Sequence, residues 1–393
     1  MPTPSRLPVY LDYAATTPVD ARVAAAVAAH LTMEGTFGNP ASRSHAYGWE
    51  AEEAVEEARV QVATLLGCDP REIVWTSGAT EGDNLAIQGV AMAREHEGRH
   101  LITSTIEHKA VIDTCAWLES RGWEVTWLEP GEQGRISAAQ VAAALRADTV
   151  LVSLMLVNNE LGVITDLAEI GAVVRSSSAL FHVDAAQALA KMPIDLSALD
   201  VDLMAFSGHK LYAPKGVGVL YVRNAPEVRL TPLIHGGGHE RGRRSGTLAT
   251  HQIVGMGRAC AIASAEMQAE ALRITGLRDS FLDGLSNLPG IHLNGHADAR
   301  IPGIVNLAFA DVDGEALLMA LAPDIACSSG SACNSATVEP SFVLRGIGLP
   351  RDLAQASLRF SFGRYTTSED VEYAVSRICE TVSRLRGGGA GQR

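Results

Sequence analysis

The chain has 393 residues, enough for about two domains and for a sizeable core that needs neither a disulfide framework nor a structural metal. Hydrophobic residues make up 47% and charged residues 20%, the balance of an ordinary globular protein. The formal net charge of −13 argues against a broadly basic surface, and so against non-specific binding to nucleic acid or to an anionic membrane. Cysteines at 68, 115, 260, 327, 333 and 379 are scattered, with no Cys-x-x-Cys pair and no zinc-finger spacing. This pattern predicts reduced thiols in a cytoplasmic protein without a metal centre. The longest apolar run, residues 150–157, has strand length, far below the ~20 residues a bilayer span requires. The N-terminal residues lead into no signal-peptide pattern.

Residues 50–66 carry an apolar stripe at helical spacing (Ala51, Ala54, Val55, Ala58, Val62, Leu65, Leu66), and Glu52, Glu53, Glu56 and Glu57 fill the opposite, solvated face. Gly67 stops this helix and Pro70 follows. Short β-branched runs at 73–75, 101–103, 150–157 and 180–183 read as buried parallel strands, separated by helical patterns at 107–120, 137–146 and 166–176. A further strand is expected at 201–206. The alternation predicts an α/β fold with a mostly parallel sheet covered on both faces. From about residue 250 the character changes. A long helix is expected from His251 towards Leu288, then shorter elements, then a last helix over 368–385 with Val371, Ala374, Val375, Ile378 and Val382 in one stripe. The expected division is a large domain over 15–258 and a smaller α+β domain made of 1–14 with 259–393.

Ligands of open parallel sheets gather at the carboxyl ends of the strands, and three motifs fall there. Residues 76–84 (Thr-Ser-Gly-Ala-Thr-Glu-Gly-Asp-Asn) follow a strand and open a helix. They suit either a phosphate cradle at a helix N-terminus or an ordinary capped helix start. Asp184 ends an apolar strand, where a carboxylate is costly unless it faces a cation or caps a helix. Lys210 closes the run Ser207-Gly208-His209-Lys210 just after a buried strand. A desolvated lysine has a lowered proton affinity and forms Schiff bases. With one crossover helix expected between their strands, Asp184 and Lys210 become neighbours. Carboxylate, amine and phosphate nest together describe a pyridoxal 5'-phosphate site.

On these residues, and on the blocks at 10–18, 38–42, 107–110, 157–162, 235–247, 328–341 and 359–364, nearly the whole chain resembles the cysteine desulfurases. These are fold type I pyridoxal-phosphate enzymes of the class V aminotransferase group. The resemblance implies a role for each matching position. Lys210 bonds the cofactor aldehyde, Asp184 pairs with the ring nitrogen and Gln187 contacts the phenolic oxygen. Ala79, Thr80, Ser207 and His209 hold the phosphate, and Thr247 reaches in from a second subunit of a homodimer. His108 stacks on the ring and moves protons. Asn159 sits near ring and substrate, Asn39 joins it at the substrate, and Arg359 clamps the substrate carboxylate, a task suited to a bidentate guanidinium.

Cys333 lies in Ser-Ala-Cys-Asn-Ser, within a polar, turn-rich stretch unlike the surroundings of a buried thiol. Cys68, Cys115, Cys260 and Cys379 read as small buried hydrophobes, and Cys327 as a strand end. The resemblance makes Cys333 the nucleophile of a mobile loop. Its thiolate attacks the sulfur of L-cysteine, leaves L-alanine, and carries a persulfide to an acceptor. The loop length matches the group serving iron–sulfur cluster assembly, so the expected partner is a scaffold protein, with tRNA thiolation as another destination. Cys333 is then expected to contact an iron–sulfur cluster transiently. That group's housekeeping members usually carry a longer C-terminal tail that helps dock the scaffold, so this departure leaves scaffold docking open, with a dedicated partner as the alternative. Rival readings are a selenocysteine lyase, an aminotransferase of the same fold, and a non-catalytic sulfur-assembly subunit. The last is opposed by the intact set Asp184, Lys210, Cys333 and Arg359. His235 and His239 stand in a glycine-rich segment without a third ligand, so no metal site is expected there. Arg241, Arg243 and Arg244 read as a solvated or interface cluster.

Overall fold

The computed structural model describes residues 7–329 and 339–388. Cys333 therefore lies outside the described residues. Strand β1 (Val9–Tyr10) and helix α1 (Ala21–Ala28) precede helix α2 (Ala46–Leu66). Gly67 ends α2 in the left-handed conformation, as the sequence predicts, but the helix starts earlier than its stripe because His45 caps it. Then follow β2 (Ile73–Thr76), α3 (Ala79–Arg94), β3 (His100–Ser104), α4 (Lys109–Glu119), β4 (Glu124–Leu128) and α5 (Ala138–Ala144). Next come β5 (Thr149–Met155), α6 (Leu167–Arg175), β6 (Leu180–Asp184), β7 (Leu203–Ser207) and β8 (Gly218–Val222). Helix α7 (Thr250–Leu285) leads to β9 (Ile291–Leu293), β10 (Ile304–Phe309), α8 (Gly314–Leu321), β11 (Ile325–Ala326), α9 (Phe342–Gly346), α10 (Arg351–Gln355), β12 (Ser357–Ser361) and α11 (Ser368–Gly388).

The main sheet has seven strands in the order β2-β8-β7-β6-β5-β3-β4. Pairings from β7 through β4 are parallel, whereas β8 runs antiparallel to both β7 and β2. The expectation of a parallel strand at 73–75 is thus corrected: β2 is an antiparallel edge strand. Its side chains still alternate between faces, Ile73 and Trp75 into one core cluster and Val74 into the other. A three-stranded antiparallel sheet β12-β10-β9 and the parallel pair β1-β11 complete the strands among the described residues. Val9 and Leu11 join Phe281, Phe309, Phe360 and the last helix in a separate cluster.

Between β6 and β7 the chain makes turns, and the crossover helix expected there is absent. Pro193 removes a backbone donor and disfavours helix at Met192, and Ala190 is left-handed at φ 63°. The two strands are nevertheless adjacent and parallel, with Asp184 opposite Ala205. Cys115 and Cys260 are buried as expected, but Cys68 and Cys379 are only half-buried. No helix of the described chain is long and apolar enough to cross a membrane.

Candidate active site

The carboxyl ends of β2, β6 and β7 open onto a cavity of about 620 Å³, within the range of small-molecule sites. Helix α3 presents its first turn here. Its cap, Gly78, supplies no side-chain hydrogen bond, so the N–H groups of that turn, which lines the cavity, are unsatisfied by a cap. Gly218 lets β8 pass this turn, because a Cβ at that position would stand 2.5 Å from the Gly78 Cα. Of the two readings of residues 76–84, the uncapped turn favours the anion cradle over the capped start. Ala79, Thr80, Ser207 and His209 line that end of the cavity. His209 Nδ1 stands 3.2 Å from Thr16 Oγ1. Burial, aided by Lys210, Lys215 and Lys191, pushes its imidazole down to about 4, so the ring is neutral at neutral pH.

Asp184 also reaches this cavity while only 5% exposed. Its Oδ1 accepts from the Ala186 N–H at 2.9 Å, within a turn, so the helix-cap alternative fails. Burial drives its carboxyl up, against the pull of His108, the Ala186 N–H and Lys210. Lys210 ends a single 3-10 turn after β7. Its amine donates to the Ala14 and Ala15 carbonyls at 2.6 and 2.8 Å. Gln187 Nε2 donates to the same Ala14 oxygen at 2.8 Å. His108 caps α4 through Nδ1, which accepts from the Ala110 N–H at 3.1 Å.

Arg359 lines the far wall. Its Nη1 donates to the Asn159 carbonyl at 2.7 Å and its Nη2 meets Asp12 Oδ1 at 2.9 Å. Asn159 is held by its neighbour Asn158, whose Oδ1 accepts from the N–H groups of Glu160 and Leu161, both at 2.9 Å. Glu160 is buried, and burial pushes it up to about 7 although Ser341 and Arg359 oppose the shift.

The cavity thus gathers Ala79, Thr80, His108, Asn159, Asp184, Gln187, Ser207, His209, Lys210 and Arg359. Thr247 and Asn39 do not line it. Asn39 is exposed, with its Oδ1 occupied by the Ala41 N–H. The glycine-rich segment that holds His235 and His239 contains one 3-10 turn, Glu240–Gly242. From the basic cluster, Arg244 pairs with Glu81 at 2.8 Å. Sequence reasoning missed Lys191, whose amine meets Gln187 Oε1 at 2.6 Å, and the carbonyls of Ala14 and Ala15. The spacing of Gln187 and Lys191 was a signal only once a turn was known to follow β6.

Polar atoms around the cavity are unspent. Asn159 Oδ1, Ser328 Oγ and Arg359 Nε are buried without a hydrogen-bond partner among the described residues. Unpaired buried donors and acceptors are costly unless a ligand meets them. An uncapped helix turn for an anion, a buried carboxylate for a cation and an amine on the same cavity fit pyridoxal phosphate.

The aminotransferase class-V family model matches residues 9–374. A protein named cysteine desulfurase IscS from Azotobacter vinelandii is 61% identical over 381 residues, covering 97% of this chain and 94% of the relative. One of that name from Pseudomonas putida strain W619 is equally similar, 61% identical with the same coverage. Among solved structures, a NifS-like protein superposes with a TM-score of 0.90 at 37% identity, covering 96% of this chain and 100% of its own. The structure described as SspA in complex with cysteine superposes at 0.80 with 40% identity, covering 91% and 99%. Matches of this extent leave one assignment: the chain belongs to the class-V aminotransferases and, within them, to the cysteine desulfurases.

Proposed function

We infer that the protein removes sulfur from L-cysteine, yielding L-alanine and a persulfide on Cys333 for transfer to an acceptor. The observation that carries this reading is the convergence of Asp184, Lys210, His108 and Arg359 on one cavity that also holds an uncapped helix turn. We assign the cofactor as pyridoxal 5'-phosphate. Ala79, Thr80, Ser207 and His209 would hold its phosphate, Asp184 its ring nitrogen, Gln187 its phenolic oxygen and Lys210 its aldehyde carbon, with His108 over the ring. Bound there, the cofactor supplies an electron sink that acidifies the substrate Cα–H and weakens its C–S bond.

The chain's own groups do the rest. Arg359, braced by Asp12 and the Asn159 carbonyl, receives the substrate carboxylate. Lys210, held by two backbone carbonyls, takes the Cα proton and returns it. His108 moves the proton of the substrate amine or thiol. Cys333 thiolate forms the S–S bond as the C–S bond breaks, and that electron pair stays with carbon, which is protonated to alanine. Cysteine and one thiol thus become alanine and one persulfide, with no external oxidant.

Two copies would complete the site, since Thr247 and Asn39 stand outside this chain's own cavity. Exposed Leu31, Met33, Phe37, Tyr47 and Trp49 offer an apolar face for that contact. We take the acceptor to be an iron–sulfur scaffold or a tRNA-thiolation protein, and the compartment to be the cytoplasm. We also take the division at 15–258 as that between the two units, supported by the separate apolar cluster around Phe281 and Phe360.

The test is anaerobic incubation with L-cysteine followed by intact-mass and peptide measurement. One added sulfur on Cys333 is expected, and Cys333→Ala should keep the visible cofactor band while losing alanine formation. Full alanine formation by that variant overturns the reading.

A further inference from the structure

Lys191 stands directly after Ala190, whose φ of 63° is a left-handed conformation that non-glycine residues rarely adopt. From there its amine turns inward. Lys191 Nζ donates to Gln187 Oε1 at 2.6 Å, Gln187 Nε2 donates to the Ala14 carbonyl at 2.8 Å, and Lys210 Nζ donates to that same carbonyl at 2.6 Å. The two lysines also line one small cavity of about 30 Å³, otherwise largely apolar, behind the larger one. Its lining acid, Glu270, is already engaged by Arg364 at 2.9 Å. Lysine amines ordinarily stay in water, so a second one kept here needs a reason.

We propose that Lys191 is a positioning residue of the active site: it fixes the Gln187 amide and, as a second amine beside Lys210, repels a proton from the Lys210 nitrogen. The first effect follows from donor chemistry. A lysine amine donates and a carbonyl accepts, so Lys191 and Ala14 together set the amide with Nε2 towards Ala14. The remaining Nε2 hydrogen is what Gln187 can offer a ligand, which selects an acceptor oxygen. The second effect is repulsion between like charges in a poorly solvated space. Burial, then Lys210 and Arg359, push the Lys191 amine itself down to about 7, which is consistent with that repulsion. The other titratable groups lining the two cavities are Asp184, Glu81, Lys215, Glu270, His108, Tyr13 and Tyr212, together with His209, whose ring is neutral.

The proposal rests on the cofactor reading above. Its test is a pH titration of the visible cofactor band in the holoenzyme, for wild type, Lys191→Met, Lys191→Gln and Lys191→Arg, with thermal melting as the folding check. Removing the neighbouring cation favours the protonated nitrogen at Lys210. The midpoint should therefore rise by about one pH unit in Lys191→Met and Lys191→Gln and stay at or below wild type in Lys191→Arg, whose guanidinium keeps its charge where the Lys191 amine, at about 7, loses it. Should Lys191→Met melt early, Lys191→Gln carries the result. An unshifted midpoint in a folded neutral variant overturns the proposal. Borohydride reduction that fixes the cofactor away from Lys210 overturns the cofactor reading instead.

Discussion

Behind Asp184 lies a layer of buried acids with a histidine among them. Asp83 is fully buried, and both its carboxylate oxygens lack a hydrogen-bond partner among the described residues. His182 Nε2 stands 3.5 Å from Asp83 Oδ1, and its Nδ1 lies 2.8 Å from Ser153 Oγ. Burial, with Asp184 and Glu107 nearby, pushes the Asp83 carboxyl up, while burial alone pushes His182 down to about 3. Glu107 is raised to about 8, again chiefly by burial. Burial thus disfavours charge on both partners of the Asp83–His182 contact, and His182 is held as the neutral imidazole. A histidine held neutral in the fold but free to protonate when unfolded makes stability fall as pH drops below its ordinary value near 6.5. His182→Asn removes this linkage. Between pH 7.5 and 5.5 the wild type should lose about 1.4 kcal/mol more than the variant, read by urea denaturation across pH. Parallel pH profiles for the two proteins would contradict it.

At the level of elements, one buried ion pair joins α2, the edge strand β2 and the glycine-rich segment. Glu240 takes Arg59 Nη2 on Oε1 at 2.9 Å, and both Arg59 Nη1 at 3.0 Å and the Trp75 N–H at 2.9 Å on Oε2. Arg59 also donates to the Ile73 carbonyl at 2.8 Å. Glu240→Gln would leave the buried guanidinium only the exposed Glu56 at 3.0 Å as a counter-charge, at a cost of about 3 kcal/mol in a urea titration. A loss below about 1 kcal/mol would show that water replaces the carboxylate. Such joints were not legible in the sequence, where Arg59 reads as one more charge on a charged helix. The parallel core strands were legible, because β-branched runs between helical stripes have few alternatives. The direction of β2 was not, since edge or centre depends on a partner far along the chain. The site divides the same way. Asp184, Lys210 and the 76–84 turn sit at strand ends, where polar residues are conspicuous. Lys191 and the Ala14 carbonyl depend on a turn whose left-handed residue is an ordinary alanine.

Across the whole molecule, Arg364 ties three distant parts of the chain. Its Nη1 meets Asp20 Oδ2 at 2.6 Å, its Nη2 meets Glu270 Oε2 at 2.9 Å, and its guanidinium stacks 4.2 Å over the Tyr212 ring. Arg364→Met takes the cation from Glu270 and leaves Asp20 to Arg22 alone, and should cost about 3 kcal/mol. All five tryptophans precede residue 130, and four lie in or against the clusters around the seven-stranded sheet, so their fluorescence reports that core, whereas far-ultraviolet dichroism reports every helix. The two transitions should coincide in wild type and separate in Arg364→Met. Coincidence in the variant would mean that other contacts suffice to couple the cores.

Helix α7 spans Thr250–Leu285, 36 residues without a break, or about 54 Å. Its first half packs Ile253, Met256 and Cys260 against the large sheet, and its second half packs Ile274, Leu277 and Phe281 into the other cluster. A spine shared in this way resists jaw-like closing, since the jaws could swing only by bending the spine itself. Substrate capture must then be achieved by local shifts at the cavity rim, and solution scattering with and without L-cysteine should trace superimposable curves.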